Sequence, residues 1–180
     1  LAPVLMVVIA MTTAALIPFA KGFVIADMNV SVLVVLALTS ISVYGVTLAG
    51  WSSNSKFSLL GGLRSSAQMI SYELAMGLAV LTVILMTGSM RLVDIVEFQA
   101  SGQALLGWNV VRAPVAAIVF IVCAFAETNR APFDLPEAEQ ELVGGYHTEY
   151  SGMKFGMFFL AEYVNFYLAS FLIVTLFFGG

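Results

Sequence analysis

Five apolar stretches, each about as long as a helix must be to cross a bilayer, constrain this 180-residue chain more than anything else in it. They lie at about 1–19, 31–50, 66–87, 108–126 and 155–178. A hydrocarbon core ~30 Å thick takes roughly 20 residues of helix at a rise of 1.5 Å per residue. Strands of a membrane barrel would be half as long and would alternate in polarity, which these runs do not. The expectation is an all-α, polytopic integral membrane helix bundle, with residues 1–180 forming a single transmembrane domain. Composition agrees: 61% of residues are hydrophobic and 10% charged, where a soluble domain runs near ~45–50% and ~25%. A soluble enzyme, a disordered tail and a secreted disulfide scaffold are excluded together.

The ends read as cuts. No basic region precedes the first apolar run, which begins at Leu1, and the chain stops at Gly179-Gly180 straight after the last. This suggests an internal piece of a longer polytopic protein. The connecting segments are 21–30, 51–65, 88–107 and 127–154. The second and fourth carry Lys56, Arg64, Arg130 and Lys154, against Lys21, Arg91 and Arg112 on the other side, which votes for a cytoplasmic second and fourth loop. The stretch Met90–Phe98 places Arg91, Asp94 and Glu97 three apart, as suits a short helix lying at the interface. Cys123, the sole cysteine, sits in an apolar run and reads as a small buried hydrophobe. With one cysteine and one histidine, no metal-ligand spacing exists. A basic nucleic-acid footprint is also missing.

Ionisable groups inside a span are costly and so are functional candidates. Glu73 interrupts the third run and Glu162 the fifth, each seven residues in and so about 10 Å from the start at 1.5 Å per residue. Glu127 closes the fourth. All three fall in one half of the bundle. Desolvation favours the neutral carboxyl, so such groups can hold and pass protons. The competing reading is that protonated glutamates serve as interhelical hydrogen-bond glue.

The segment 127–162 holds seven acids and two bases, a charge of −5 in a chain whose total is −4. Asp134 with Glu137 three residues later reads as a capping box, Pro136 fits a first helical turn, and Gly144-Gly145 supplies a stop. If residues 135–143 are helical, Leu135, Ala138, Leu142 and Val143 make an apolar stripe. Glu139 then falls inside that stripe, with Glu137 and Glu141 on the opposite face. Arg130, the one Lys or Arg between Glu127 and Glu149, is expected to be held by Asp134 or Glu127. His147 reads as an ordinary loop histidine. Interleaved Phe133, Leu135, Leu142 and Tyr146 make the segment a packed cap or docking face rather than a solvated tail.

That segment also makes the chain recognisable. The run from Glu127 to Gly152, continued through Met153-Lys154-Phe155-Gly156 and Ala161-Glu162-Tyr163, closely resembles the H subunit of proton-pumping NADH:quinone oxidoreductase, respiratory complex I, whose mitochondrial counterpart is subunit 1. The stretches Ala49-Gly50-Trp51-Ser52-Ser53-Asn54-Ser55-Lys56-Phe57 and Gln68-Met69-Ile70-Ser71-Tyr72-Glu73 resemble it too. The resemblance covers all five runs. Such subunits have about eight spanning helices, so this chain would lack the first helix with its following loop and the last two.

The resemblance implies a bacterial inner-membrane subunit, or a mitochondrial inner-membrane one, at the joint of the hydrophilic and membrane arms, with the acidic loop on the cytoplasmic or matrix side. It implies quinone as substrate, reached through a tunnel open to membrane lipid. FMN and iron–sulfur clusters are implied only in partner subunits, which comprise hydrophilic quinone-site subunits and antiporter-like membrane subunits. Glu73, Glu127 and Glu162 would belong to a proton pathway. Glu137, Glu139, Glu141 and Glu149 would form an acidic coupling loop, while Arg130, Phe133 and Asp134 would flank the quinone cavity. Two other functions stay open on the residues: a stand-alone proton-coupled secondary transporter, and the membrane anchor of an energy-converting hydrogenase.

Overall fold

The computed structural model describes residues 1–20, 22–102, 104–129, 133 and 149–180. Its elements are α1 (Ala2–Ala14), α2 (Ser31–Ser52), α3 (Lys56–Thr87), α4 (Leu92–Ala100), a 3-10 turn (Ala104–Gly107), α5 (Asn109–Arg112), α6 (Pro114–Glu127) and α7 (Met153–Phe177). The chain is an all-α polytopic membrane bundle. Three helices, α2, α3 and α7, are long and apolar enough to cross a membrane, and α1 and α6 are shorter apolar helices.

Three boundaries differ from the apolar runs, each for a physical reason. The first run extends to Phe19, but regular helix ends at Ala14, and the chain tightens through Leu16 N–H to Thr13 O (3.1 Å) and Ile17 N–H to Ala14 O (3.3 Å). Pro18 disfavours helical geometry at the residue before it. The fourth run is broken at Ala113 (φ −134°, ψ 65°), the residue before Pro114, so α5 and α6 are separate pieces. Helix α3 starts ten residues earlier than its apolar run, at Lys56 rather than Ser66.

The early start of α3 reflects packing that hydropathy does not see. A Cβ on Gly50 would lie 2.8 Å from the Ser58 carbonyl oxygen and 3.2 Å from the Gly62 Cα. Two glycines thus let the backbones of α2 and α3 touch, as small residues do in membrane bundles. The helical conformation of 56–65 is stabilised by that contact despite its serines and lysine. Asn54, at φ 52°, makes the turn between the helices. At its far end α3 stops at Gly88 (φ 73°), whose N–H caps the Ile84 carbonyl at 2.8 Å. Helix α4 follows, two residues displaced from the interface helix expected at Met90–Phe98.

Two apolar cores stack along the bundle. One joins Met6 of α1, Val43 and Val46 of α2, Met69 of α3 and Phe158 and Ala161 of α7. The other joins Val32 and Val35 of α2, Met76, Val80 and Val83 of α3, Ile95 of α4, Phe120 and Cys123 of α6 and Leu176 and Phe177 of α7. Cys123 is buried, as its sequence setting suggests.

Beyond the second core a polar knot fixes the α4–α5–α7 corner. Gln99, buried, donates to the Thr175 carbonyl at 2.9 Å. Its Oε1 accepts from the backbone N–H groups of Asn109 (3.2 Å) and Gly179 (3.1 Å). Asn109 in turn donates to the Leu176 carbonyl at 2.8 Å, and its own Oδ1 is buried without a partner among the described residues.

Candidate functional site: a polar layer between two apolar cores

Along every long helix the two cores are separated by one polar step. On α2 it is Thr39, Ser40 and Ser42, lying between Val35 and Val43. On α3 it is Glu73, between Met69 and Met76, and on α7 Glu162 and Asn165 both fall between Ala161 and Leu176. Thr13 of α1 and Glu127 and Thr128 at the end of α6 complete the layer. Polar groups in a membrane bundle are expensive unless paired, so five elements converging on one level form a site.

Glu73 is half-buried and is held from α2: its Oε1 accepts from Ser40 Oγ in a short contact and from Thr39 Oγ1 at 3.5 Å. Thr39 also lines two small cavities of about 30 and 40 Å³, and Glu127 lines both of them. Either volume holds a water, for which ~10–15 Å³ suffices. The first is otherwise apolar. The second is polar, with Thr13, Ser42, Thr128 and Asn165 in its wall. The Glu127 carboxylate accepts no hydrogen bond among the described residues and lies within electrostatic reach of Glu73. On its other flank Glu73 opens onto an apolar groove between α2 and α3, lined by Leu33, Leu36, Leu74 and Leu81.

From the apolar run, Glu73 is expected seven residues into its helix. With α3 starting at Lys56 it is the eighteenth of 32, near mid-helix, because the preceding polar stretch is helical too. Glu162 is half-buried on α7 and one turn before Asn165, but neither cavity includes it. Glu149 is exposed, on the turn leading into α7. Phe133 is half-buried, its ring edge-on to Tyr72 with centroids 5.3 Å apart. Its carbonyl accepts from Gln68 Nε2 at 2.9 Å. Arg130, Asp134, Glu137, Glu139, Glu141 and His147 lie outside the described residues, as do the helical wheel of 135–143 and the pairing of Arg130.

A family model described as NADH dehydrogenase matches residues 1–180, the whole chain. The chain belongs to the NADH dehydrogenase family. Curated relatives agree. It is 77% identical over 180 residues to the NADH-quinone oxidoreductase H subunit of Salinibacter ruber, covering all of this chain and 52% of that protein. It is 76% identical over 180 residues to NADH-quinone oxidoreductase subunit 8 of Rhodothermus marinus, covering all of this chain and 53% of that one. With the NADH-quinone oxidoreductase H subunit of Rhodospirillum centenum the identity is 52% over 179 residues, or 99% of this chain and 52% of that protein. The chain thus spans about half the length of the curated relatives it matches.

In this family member, the groups that join the acids escape sequence reasoning. Thr39 and Ser40 sit in an apolar run and look like ordinary small residues of a span. One hint is present: Thr39-Ser40 followed by Ser42 is the densest hydroxyl cluster in the second run. Gln68 reads along the chain only as a polar neighbour of Glu73, yet it is a clamp, donating to Ala126 O (2.9 Å), Phe133 O (2.9 Å) and Asn129 Oδ1 (3.5 Å).

Proposed function

We propose that this chain is the central part of an H-type subunit that couples quinone reduction to proton translocation in an NADH:quinone oxidoreductase of a bacterial plasma membrane. One observation carries the reading: Glu73, which accepts from Thr39, and Glu127, which lines the same two cavities as Thr39, lie in one polar layer flanked on both sides by apolar packing. Two flanking cores block water from leaking along the bundle, so protons cross by way of the side chains in the layer. Coupled acids in such a setting exchange protons as a unit, and a nearby change of charge moves protons among them. Reduction of a quinone to its quinol takes two electrons and two protons, which supplies that change.

The α6–Phe133 junction, clamped by Gln68, is the side from which the charge change reaches the layer. Arg130, Phe133 and Asp134 flank the quinone, and the Phe133–Tyr72 ring pair offers the apolar surface that a quinone requires. The acidic loop that carries Glu137, Glu139, Glu141 and Glu149 couples quinone reduction to the proton pathway of Glu73, Glu127 and Glu162. The apolar groove beside Glu73 is a face on which an antiporter-like membrane subunit can pack, with the proton leaving through Glu73 itself. Electrons would come from FMN and iron–sulfur clusters in partner subunits; the single cysteine of these 180 residues cannot by itself supply the four thiolates of a cluster.

Glu73→Gln and Glu127→Gln test the reading in the assembled complex in membrane vesicles. Each variant keeps the shape of a protonated glutamate and loses the ability to exchange a proton. The expected result is a normal content of complex with depressed NADH:quinone turnover or a reduced proton-to-electron ratio. Wild-type values for both variants would reduce the two residues to interhelical glue.

A further inference from the structure

The 40 Å³ cavity between α1, α2, α6 and α7 contains two polar side chains with unused hydrogen-bonding capacity. The Glu127 carboxylate accepts no hydrogen bond, and the Asn165 carboxamide makes none, among the described residues. The remaining polar wall is already engaged: Thr13 Oγ1 donates to Ile9 O at 2.9 Å, Ser42 Oγ to Thr39 O at 2.6 Å and Thr128 Oγ1 to Ala124 O at 3.1 Å. Each of these hydroxyls keeps an acceptor lone pair. A carboxylate, which when ionised only accepts, and a carboxamide, which donates and accepts, thus line one small space with further acceptors in its wall.

We propose that this cavity is a binding site for structural water, held by Asn165 and Glu127, and that Thr39 is the positioning residue joining that water to Glu73. The water gives Glu127 the donors that the protein withholds. Asn165 orients it, offering an N–H to the water oxygen and a carbonyl to a water hydrogen. Thr39 closes the gap because its hydroxyl, which donates to the Leu36 carbonyl at 2.8 Å, also lies 3.5 Å from Glu73 Oε1 and lines the cavity, so a turn of the O–H from Leu36 to Glu73 completes the link. A proton passes along this line with no net change in atoms. A protonated Glu127 hands its proton to the water, the water hands one of its own to the Thr39 hydroxyl, and that hydroxyl delivers its former proton to Glu73. The reverse order restores the start. This assignment rests on the proton-pathway reading of Glu73 and Glu127 and adds the two neutral residues that make the pathway continuous.

The test uses the whole complex in vesicles, with assembled-complex content, NADH:quinone turnover and proton translocation measured together. Asn165→Leu fills the cavity with an apolar side chain of similar size, and Asn165→Ala leaves room that water can fill. Water binding predicts that Asn165→Leu lowers proton-coupled turnover by about tenfold, the effect of one lost hydrogen bond to a charged group, and that Asn165→Ala retains clearly more. A packing role for Asn165 predicts the opposite order, since Ala removes more contact. Thr39→Val should impair translocation while Thr39→Ser restores it.

Equal or better function of Asn165→Leu relative to Asn165→Ala, or wild-type pumping by Thr39→Val, overturns the proposal. So does turnover that depends on added sodium ions in the wild type, which would assign the cavity to a cation. If Glu73→Gln and Glu127→Gln pump normally, the proton-pathway reading itself falls. If those two fail while Asn165→Leu and Thr39→Val pump normally, only the water site falls.

Discussion

Gln68 Nε2 and the Phe133 carbonyl oxygen are 2.9 Å apart, across 65 residues of sequence. The same nitrogen reaches the Ala126 carbonyl at 2.9 Å, one residue before Glu127. A single side chain of α3 therefore pins both the end of α6 and the backbone that follows it. Replacing Gln68 with Leu leaves two carbonyls without that donor, at ~1–3 kcal/mol for each left buried and unsatisfied. The expected outcome is a lower thermal midpoint for the detergent-purified complex and a raised KM for quinone at little changed assembly. An unchanged KM would separate the clamp from the quinone side.

The polar knot at the opposite end should rank two substitutions. Gln99 satisfies four backbone groups, whereas Asn109 satisfies one through its side chain and leaves its Oδ1 unpaired among the described residues. Gln99→Leu should therefore destabilise by several times ~1 kcal/mol, and Asn109→Ala by less, because Ala also removes an unsatisfied acceptor. Thermal unfolding of the two purified variants gives the order.

Glycine substitutions should separate contact from open space. At Gly50 a Cβ collides with backbone that cannot rotate away, so Gly50→Ala should push α2 from α3 and cost about 1–3 kcal/mol. At Gly156 of α7 nothing lies within 4 Å of the added carbon, and Ala has the higher helix propensity, worth roughly 0.5–1 kcal/mol. Opposite signs of the shift in unfolding midpoint are expected, and equal losses would show that Gly50 is not a contact point.

Asp27 and Arg91 tie the α1–α2 connection to the start of α4, with Arg91 Nε donating to Asp27 Oδ1 at 2.8 Å and a second, shorter contact beside it. The Arg91 hydrogen bond holds the Asp27 carboxyl below the usual carboxylate range. A depressed folded-state value means the tie is fully present above the unfolded aspartate's pKa, about 3.9, and is lost as pH falls through the lower folded value. The contact should therefore be insensitive to pH across the neutral range, weaken with salt, and vanish in Asp27→Asn. Hydrogen exchange at the N-terminus of α4, followed against pH in both proteins, reads this directly.

The bundle, the carboxylates and the family are legible in the sequence, because long apolar runs and acids within them are properties of composition along one line. Where the helices begin is not. Residues 56–65 are too polar to look like part of a span, yet the Gly50–Gly62 approach makes them helix. Thr39 and Asn165 are invisible as a pair because their meaning depends on which helix faces which. Nothing in the spacing of 39, 127 and 165 says that they share one wall. Along the chain Asn165 belongs with Glu162, whereas in space it lines the cavity beside Glu127.

The early start of α3 has a mechanical corollary. At 32 residues it is about 48 Å long, well beyond a ~30 Å hydrocarbon layer, so part of it stands outside the apolar slab. Gln68, which grips the α6–Phe133 junction, and Glu73, which sits in the polar layer, are five residues apart on that rod, with neither glycine nor proline between them. Kinks in helices occur at such breaks. A tug on the junction is therefore not absorbed along the way. It turns or shifts the carboxylate itself, and the distance from Glu73 to the Thr39 hydroxyl becomes a gauge of what happens at Phe133.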